Sequence, residues 1–213
     1  MKIVLFGASG VLGQRIAQEA LNRGHEVKAV VRDPARVPLT HERLSVVAGD
    51  VRDAVDVARV AAGADIVASA VGPTSDQGAE MLTQAAHALI EGTGRAGVHR
   101  LIVIGGAGSL EVAPGVALLD APDFPAAWRP GAEAARDALA IYRAAPADLD
   151  WTYLSPAALI APGERTGHYR TGGDQLLTDE HGESRISAED FAIAFVDEIE
   201  QSKFVRRRFT VAY

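Results

Sequence analysis

Short apolar runs alternate along the chain with segments whose apolar residues recur every three or four positions. The runs predict strands, at residues 3–6, 26–31, 44–48, 65–70, 100–104, 151–154 and 208–212. The periodic segments predict helices, at residues 12–20, 53–62, 79–90 and 131–143, with a last helix that starts after Ser187. This alternation predicts an α/β fold, a doubly wound parallel sheet of Rossmann type covered on both faces.

The predicted strands end at residues that turn the chain or carry polar groups. Because parallel strands share one carboxyl edge, the pattern places Gly7–Gly13, Arg32, Asp50, Gly72 and Gly105–Ser109 along one rim. Open α/β sheets bind their ligands at that edge. The rim is therefore the predicted functional site.

Two segments interrupt the alternation. Residues 111–130 are rich in proline and predict a loop that crosses the site, since loops of this length are usually functional or disordered. Residues 156–186 include the polar, glycine-rich stretch 163–182, which predicts a pair of short strands or a mobile lid. We expect both segments to form the substrate side of a single domain that spans residues 1–213.

A glycine-rich turn joins the first strand to the first helix. Its sequence is Gly7-Ala8-Ser9-Gly10-Val11-Leu12-Gly13. Such glycines allow a tight turn, close approach of a pyrophosphate and close packing of the helix, while the helix N-terminus attracts the phosphates. The predicted cofactor contacts are Gly7, Ser9, Gly10, Val11 and Leu12. The alternative is a tight turn that binds nothing.

The residue after the second strand bears on which dinucleotide would bind. An acidic residue there holds the ribose hydroxyl of NAD, whereas an arginine suits the 2′-phosphate of NADP. This chain has Arg32, followed by Asp33 and then Arg36. The guanidinium fork matches phosphate geometry, which favours NADP, with NAD as the alternative. The alternative is that Arg32 and Asp33 form a solvated pair at the strand end, which would not indicate either cofactor.

Further cofactor contacts are predicted at the later strand ends. Asp50 has two equal interpretations: its carboxylate accepts a hydrogen bond from the adenine amine, or it is a turn or capping residue. Gly72 would let the backbone lie close to the nicotinamide ribose. The other candidates for cofactor contact at these ends are Val51, Ala70, Val71, Gly105 and Gly106.

Composition excludes several classes of function. The chain has 213 residues, 48% of them hydrophobic and 23% charged, as in an ordinary globular protein. The net charge of −7 argues against sequence-independent binding of nucleic acid. Without cysteine, the chain has no disulfide, thiolate metal site or cysteine nucleophile. We expect a cytoplasmic protein with no signal peptide, membrane span, nucleic-acid partner or metal, either monomer or homodimer.

Several of these runs resemble the atypical short-chain dehydrogenase/reductase superfamily. They are the glycine turn, Val30-Val31-Arg32-Asp33-Pro34, Gly49-Asp50-Val51 and Val103-Ile104-Gly105-Gly106-Ala107-Gly108-Ser109. The last run and residues 184–192 resemble more narrowly the small NAD(P)H-binding NADH–flavin reductases, whose relatives include biliverdin reductase B-like flavin reductases and NmrA-like sensors. The resemblance implies an NAD(P)-binding Rossmann fold and a flavin or other small acceptor. It also implies backbone contact of Pro156 and Ala157 with the nicotinamide amide.

One departure from the superfamily concerns its catalytic pair, a tyrosine followed four residues later by a lysine. The lysines of this chain are Lys2, Lys28 and Lys203, and Tyr142 is followed four residues later by Pro146. Proton transfer by such a pair is therefore absent, which disfavours epimerase and alcohol dehydrogenase chemistry. Reduction of a flavin or quinone needs only stacked donor and acceptor rings.

Candidate acceptor contacts come from the same rim and from the two interrupting segments. Ser109 is the candidate catalytic hydroxyl, with a loop or capping role as its alternative. Trp128 would stack on a planar acceptor or anchor its loop to the core, and Tyr153 would contact the acceptor or simply be packed. The other acceptor candidates are Ser155 and His168, of which His168 is a proton donor or a surface histidine.

Three functions are consistent with these residues. The first is an NADP-dependent reductase of flavin or a similar planar acceptor. The second is a redox sensor that binds NADP(H) without catalysis. The third is an NAD(P)-dependent epimerase or dehydratase, which the missing tyrosine–lysine pair disfavours.

Overall fold

The computed structural model describes residues 1–72 and 80–213. The strands are β1 (Lys2–Phe6), β2 (Glu26–Val31), β3 (Leu44–Ala48), β4 (Ile66–Ser69), β5 (Arg100–Ile104), β6 (Glu111–Ala113), β7 (Val116–Ala117), β8 (Asp150–Ser155), β9 (Leu159–Ala161), β10 (Arg170–Gly172), β11 (Arg185–Ser187) and β12 (Arg207–Ala212). The α-helices are α1 (Val11–Asn22), α2 (Ala54–Ala61), α3 (Glu80–Arg95), α4 (Arg129–Arg143) and α5 (Ala188–Gln201).

An eight-stranded sheet in the order β3-β2-β1-β4-β5-β8-β12-β10 forms the centre of the molecule. Its neighbours pair in parallel, except that the edge strand β10 runs antiparallel to β12. The predicted doubly wound parallel sheet is confirmed. The strands of this sheet can be predicted from the sequence because a strand that is buried on both faces is a continuous run of apolar residues.

Helices cover both faces of this sheet. On one face, α1 and α5 pack together, and Ile16, Phe191 and Phe195 belong to the same buried cluster. On the other face, α2, α3 and α4 bury a second cluster that includes Val57 and Leu89. In the part of the chain that the structure describes, no helix combines the length and apolar character needed to cross a bilayer.

The two interrupting segments differ from the sequence prediction in opposite ways. Within residues 111–130, predicted as a loop, β6 and β7 form a short hairpin, and residues 118–120 and 126–128 form 3₁₀ turns. Within residues 163–182, where the sequence predicts a pair of short strands or a mobile lid, the structure has one strand, β10. Its partner is β12, more than thirty positions later, which local pattern does not reveal.

The strand order reverses beside β1, which lies between β2 and β4. The carboxyl ends of β1 and β4 therefore flank a crevice of the kind in which open α/β sheets bind ligands. Pro73, predicted to close the turn after β4, and Ala79, predicted to begin the third helix, lie outside the described residues.

Candidate functional site

The glycine turn brings the start of α1 against the end of β1. Gly7 has φ +79°, and a Cβ there would lie 2.8 Å from the carbonyl carbon of Ala70. A Cβ on Gly13 would lie 2.1 Å from the carbonyl oxygen of Gly7. Both positions therefore require glycine, because a side-chain carbon would force neighbouring backbone apart. A Cβ on Gly10 would meet only that same oxygen, at 3.4 Å.

The N-terminus of α1 provides backbone donors at this turn. The Gly10 N–H donates to Gly7 O at 3.0 Å, and the Gln14 N–H donates to Gly10 O at 3.0 Å. Gly10 caps the helix without a side-chain hydrogen bond, and the first turn carries no acidic residue. The first N–H groups of a helix lack intrahelical acceptors and favour an anion. The turn therefore fits a phosphate.

A cavity of about 230 Å³ lies beside the turn, at the carboxyl ends of β1 to β4. It is lined by most of the predicted cofactor contacts, namely Gly7, Ser9, Gly10, Arg32, Asp50, Val51, Ala70, Val71 and Gly72. The side chains of Val11 and Leu12 lie elsewhere: Val11 is exposed, and Leu12 packs against the core. Any contact from these two residues would come from their backbone N–H groups.

Three arginines line this smaller cavity: Arg32, Arg36 and Arg52. Arg36 was noted beside Arg32, but neither Arg36 nor Arg52 was among the predicted contacts. Arg52 reaches this cavity because it follows Asp50 at the end of β3, which pairs with β2. Asp33 caps the turn at residues 34–36, where its Oδ1 accepts from Ala35 N at 3.1 Å. The acidic residue that would suit NAD is therefore engaged in the turn, and the donors suit a phosphate.

Asp50 is a turn residue, as one of its two interpretations stated. Its Oδ1 accepts from the backbone N–H and Nε of Arg52 at 2.9 and 3.0 Å, and its Oδ2 accepts from Nη2 at 2.6 Å. These hydrogen bonds hold the pKa of the Asp50 carboxyl below its ordinary value. The helix cap nearby is instead Asp53, which accepts from Val55 N at 2.8 Å. Asp50 nevertheless lines the cavity.

A second cavity of about 860 Å³ adjoins the first, and the two share Val71 and Gly72. The predicted contacts that line it are Gly105, Gly106, Trp128, Tyr153, Pro156 and Ala157. Its other walls are mainly apolar, from β5, α3, α4 and residues 118–132. Among the described lining residues, Asp123 alone carries a charge at neutral pH. This larger cavity suits an apolar, planar ligand.

Tyr153 contributes its ring to the larger cavity and its hydroxyl to the scaffold. The residue is only 2% exposed. Its hydroxyl donates to Ala135 O at 2.7 Å and accepts from Gly106 N at 3.3 Å. Burial raises its pKa well above the ordinary value, as it does for Tyr142, the other tyrosine of this wall. Neither phenol is suited to transfer a proton near neutral pH.

The structure places the predicted catalytic hydroxyl, Ser109, away from both cavities. Its Oγ accepts from Nη1 of Arg208 at 3.0 Å, and Arg208 in turn donates to Asp174. The serine is thus a structural contact between β12 and the loop after β5. Ser109 is absent from the described lining of both cavities, although its neighbour Gly108 lines the larger one, and this placement favours the loop role over the catalytic one.

Two predicted acceptor contacts also lie outside the described linings of both cavities. Ser155 is fully buried, and its hydroxyl has no hydrogen-bond partner among the described residues. His168 is exposed on the segment before β10, as its surface alternative stated. Trp128 differs from both: it lines the larger cavity and is 55% exposed. Both of its predicted roles, stacking on an acceptor and anchoring its loop, stay predictions.

Comparison with known proteins is consistent with this geometry. The model of the NAD(P)H-binding family matches residues 7–202. The chain belongs to the NAD(P)H-binding family. The predicted resemblance to atypical short-chain dehydrogenases/reductases is confirmed, and a nicotinamide cofactor is the ligand of the family.

Three solved structures are similar to the whole of this chain. A Burkholderia pseudomallei protein named "putative exported protein" is 51% identical, with TM-score 0.91, and covers 100% of both chains. A "putative epimerase" from Bacteroides thetaiotaomicron is 42% identical, with TM-score 0.93, over 100% of this chain and 96% of that one. A "putative NADH-flavin reductase" from Streptococcus pneumoniae TIGR4 is 33% identical, with TM-score 0.86, over 100% and 99%.

Proposed function

We propose that this member of the NAD(P)H-binding family is an NADPH-dependent reductase of flavin or a similar planar acceptor. One observation carries the proposal: a small cavity lined by arginines adjoins a large apolar one at the strand-order reversal, and the two share Val71 and Gly72. Such a pair of cavities suits a dinucleotide with a phosphate at one end and a ring at the other. A relative named for NADH–flavin reduction supports the same acceptor class.

The chain's own groups would hold the cofactor along this crevice. The glycine turn and the first N–H groups of α1 would hold the pyrophosphate, since no side-chain carbon obstructs it. Arg32 and Arg36 would bind the 2′-phosphate, whereas the charge of Arg52 is compensated by its ion pair with Asp50. Gly72, which lines both cavities, would let the nicotinamide end pass between them.

When bound, NADPH would supply a hydride, so that the acceptor gains two electrons, and the accompanying proton would come from bulk water rather than from a side chain. The residues of the larger cavity would orient the acceptor and exclude water from its ring. Trp128 and Phe124 provide the aromatic surfaces for that orientation. No described side chain of this cavity is a histidine or lysine that would act as a general acid, which disfavours epimerase chemistry.

Steady-state assay of NADPH oxidation with riboflavin, FMN or a quinone tests this function. We expect oxidation far above the rate without protein, and a lower KM for NADPH than for NADH. If NADPH binds tightly in calorimetry while none of these acceptors accelerates its oxidation, the reductase proposal fails. That result would favour the alternative, a non-catalytic sensor that binds NADP(H). The cytoplasmic location and the monomeric or homodimeric state stay predictions.

A further inference from the structure

The two cavities differ sharply in the charges of their walls. Among the described residues, three arginines and one aspartate line the smaller cavity. The described lining of the larger cavity contains no lysine, arginine or histidine, and its charged residue is Asp123. Resting on the function proposed above, we propose that the larger cavity selects planar acceptors without a phosphate, such as riboflavin or a quinone, and discriminates against FMN and FAD.

The first step of the argument is the cost of a phosphate in an apolar site. A phosphate monoester carries nearly two negative charges at neutral pH and binds best to arginine forks or clustered N–H donors. The larger cavity has no such fork among its described lining residues. A phosphate brought there would lose hydration without gaining a cation.

The second step concerns the loop that borders this cavity. Asp123 is exposed, and it forms no ion pair with any described residue. Its carboxylate therefore adds a negative potential at the wall of this cavity. The nearby cation, Arg129, lies with its guanidinium 5.6 Å from the centroid of the Phe124 ring and does not line the cavity.

The third step concerns the start of α4, which also borders the cavity through Pro130, Gly131 and Ala132. A helix N-terminus carries about half a positive charge, less than the full charge of Asp123. Pro130 has no N–H to donate. This helix end therefore does not replace an arginine fork, and the net preference of the cavity is for an uncharged ring system.

Riboflavin and FMN test the proposal, because they share one ring system and differ by the phosphate. Binding is measured by quenching of flavin fluorescence on protein saturated with NADP⁺. We expect the Kd of FMN to exceed that of riboflavin about fivefold, a modest factor because interactions between partly exposed charges are weakened by solvent. The ratio should approach one at about 1 M salt, where the screening length is about 3 Å. Equal dissociation constants at low salt would overturn the proposal.

Two pairs of variants test the cause. Asp123→Asn should lower the Kd ratio, whereas Asp120→Asn makes the same charge change outside the cavity lining and should leave it unchanged. Leu159→Arg adds a cation at an exposed lining residue and should favour FMN, whereas Val112→Arg adds the same charge elsewhere. Equal effects within either pair would show that overall charge, rather than the cavity, sets the preference.

Turnover separates this proposal from the function on which it rests. If riboflavin binds more tightly than FMN but neither accelerates NADPH oxidation, the reductase function fails and the preference of the cavity stands. If both are reduced and FMN binds as tightly as riboflavin, the function stands and the preference is wrong.

Discussion

The hydroxyl of Tyr153 donates a 2.7 Å hydrogen bond to the carbonyl oxygen of Ala135, and so joins β8 to α4 behind the larger cavity. The same tyrosine lies beneath the loop after β5, where a Cβ on Gly105 would come within 1.8 Å of its ring. A residue that sequence marks as a candidate acceptor contact is therefore a wall of the site whose polar end is fully occupied.

Tyr153→Phe should retain reductase activity and lose stability. Removing the hydroxyl leaves Gly106 N and Ala135 O short of a partner, which costs about 1 kcal/mol in the free energy of unfolding. Urea denaturation and NADPH oxidation measure the two effects. Because burial raises the pKa of Tyr153, the wild-type pH–rate profile should show no tyrosine ionisation between about pH 6 and 9. A large loss of kcat at unchanged stability would instead identify the phenol as a proton donor.

Gly13→Ala and Gly10→Ala should separate folding from binding. The Cβ of the first would lie 2.1 Å from Gly7 O, which forces the backbone to move and costs about 2 kcal/mol of stability. The Cβ of the second has 3.4 Å of clearance, so the fold should keep its Tm within a few degrees while NADPH binds more weakly. Thermal unfolding with calorimetric titration checks both. Wild-type stability and affinity in Gly13→Ala would contradict the proposed phosphate turn.

Arg32→Ala should weaken NADPH much more than NADH. A charge-assisted contact to the 2′-phosphate corresponds to about a 10- to 100-fold change in Kd, and NADH has no such phosphate. Arg59→Ala is the matched control, since Arg59 is an exposed arginine on α2 that pairs with Asp56 outside the cavity lining. Equal losses for the two cofactors in Arg32→Ala would mean that this guanidinium does not recognise the 2′-phosphate.

Asp174→Ala should destabilise the protein more than Arg208→Met. The Arg208 side chain is 4% exposed and the Asp174 side chain is 52% exposed, so losing the carboxylate leaves a buried charge behind. We expect about 2–3 kcal/mol for Asp174→Ala and about 1 kcal/mol or less for Arg208→Met, whose remaining aspartate stays in water. Chemical denaturation of both variants measures the difference. The reverse order would show that packing of the arginine stem outweighs its charge.

Asp190 predicts a pH dependence of stability. Burial raises the pKa of its carboxyl, but hydrogen bonds from Thr166, Gly167 and Tyr213 outweigh burial and lower it. A lowered folded-state pKa contributes stability above the unfolded value of about 3.9, and that contribution is lost as the pH falls below it. Wild type should therefore be more stable than Asp190→Asn at neutral pH and lose that advantage below about pH 4. Denaturation curves of both proteins between neutral pH and about pH 3 measure this. A difference in the free energy of unfolding that stays constant with pH would contradict the prediction.

The sequence by itself determined the sheet, the helices and the rim on which the site lies. Strands such as β2 and β5 have the predicted bounds because their apolar character is local and continuous. The spacing of Gly7, Gly10 and Gly13 likewise indicates the turn without reference to distant residues. The position of Arg32 at the rim can also be predicted from sequence, since it depends only on where the second strand ends.

Only the tertiary structure decided which candidate side chains lie outside the cavities and which further residues line them. Ser109 belongs to the scaffold because Arg208, ninety-nine positions later, holds its hydroxyl. Arg52 lines the same cavity as Arg32 because β3 pairs with β2. The apolar lining of the larger cavity, in which Asp123 is the one charged residue among those described, arises where β5, α4 and the segment 118–132 meet. Such contacts depend on how distant elements pack, and local periodicity carries no information about that packing.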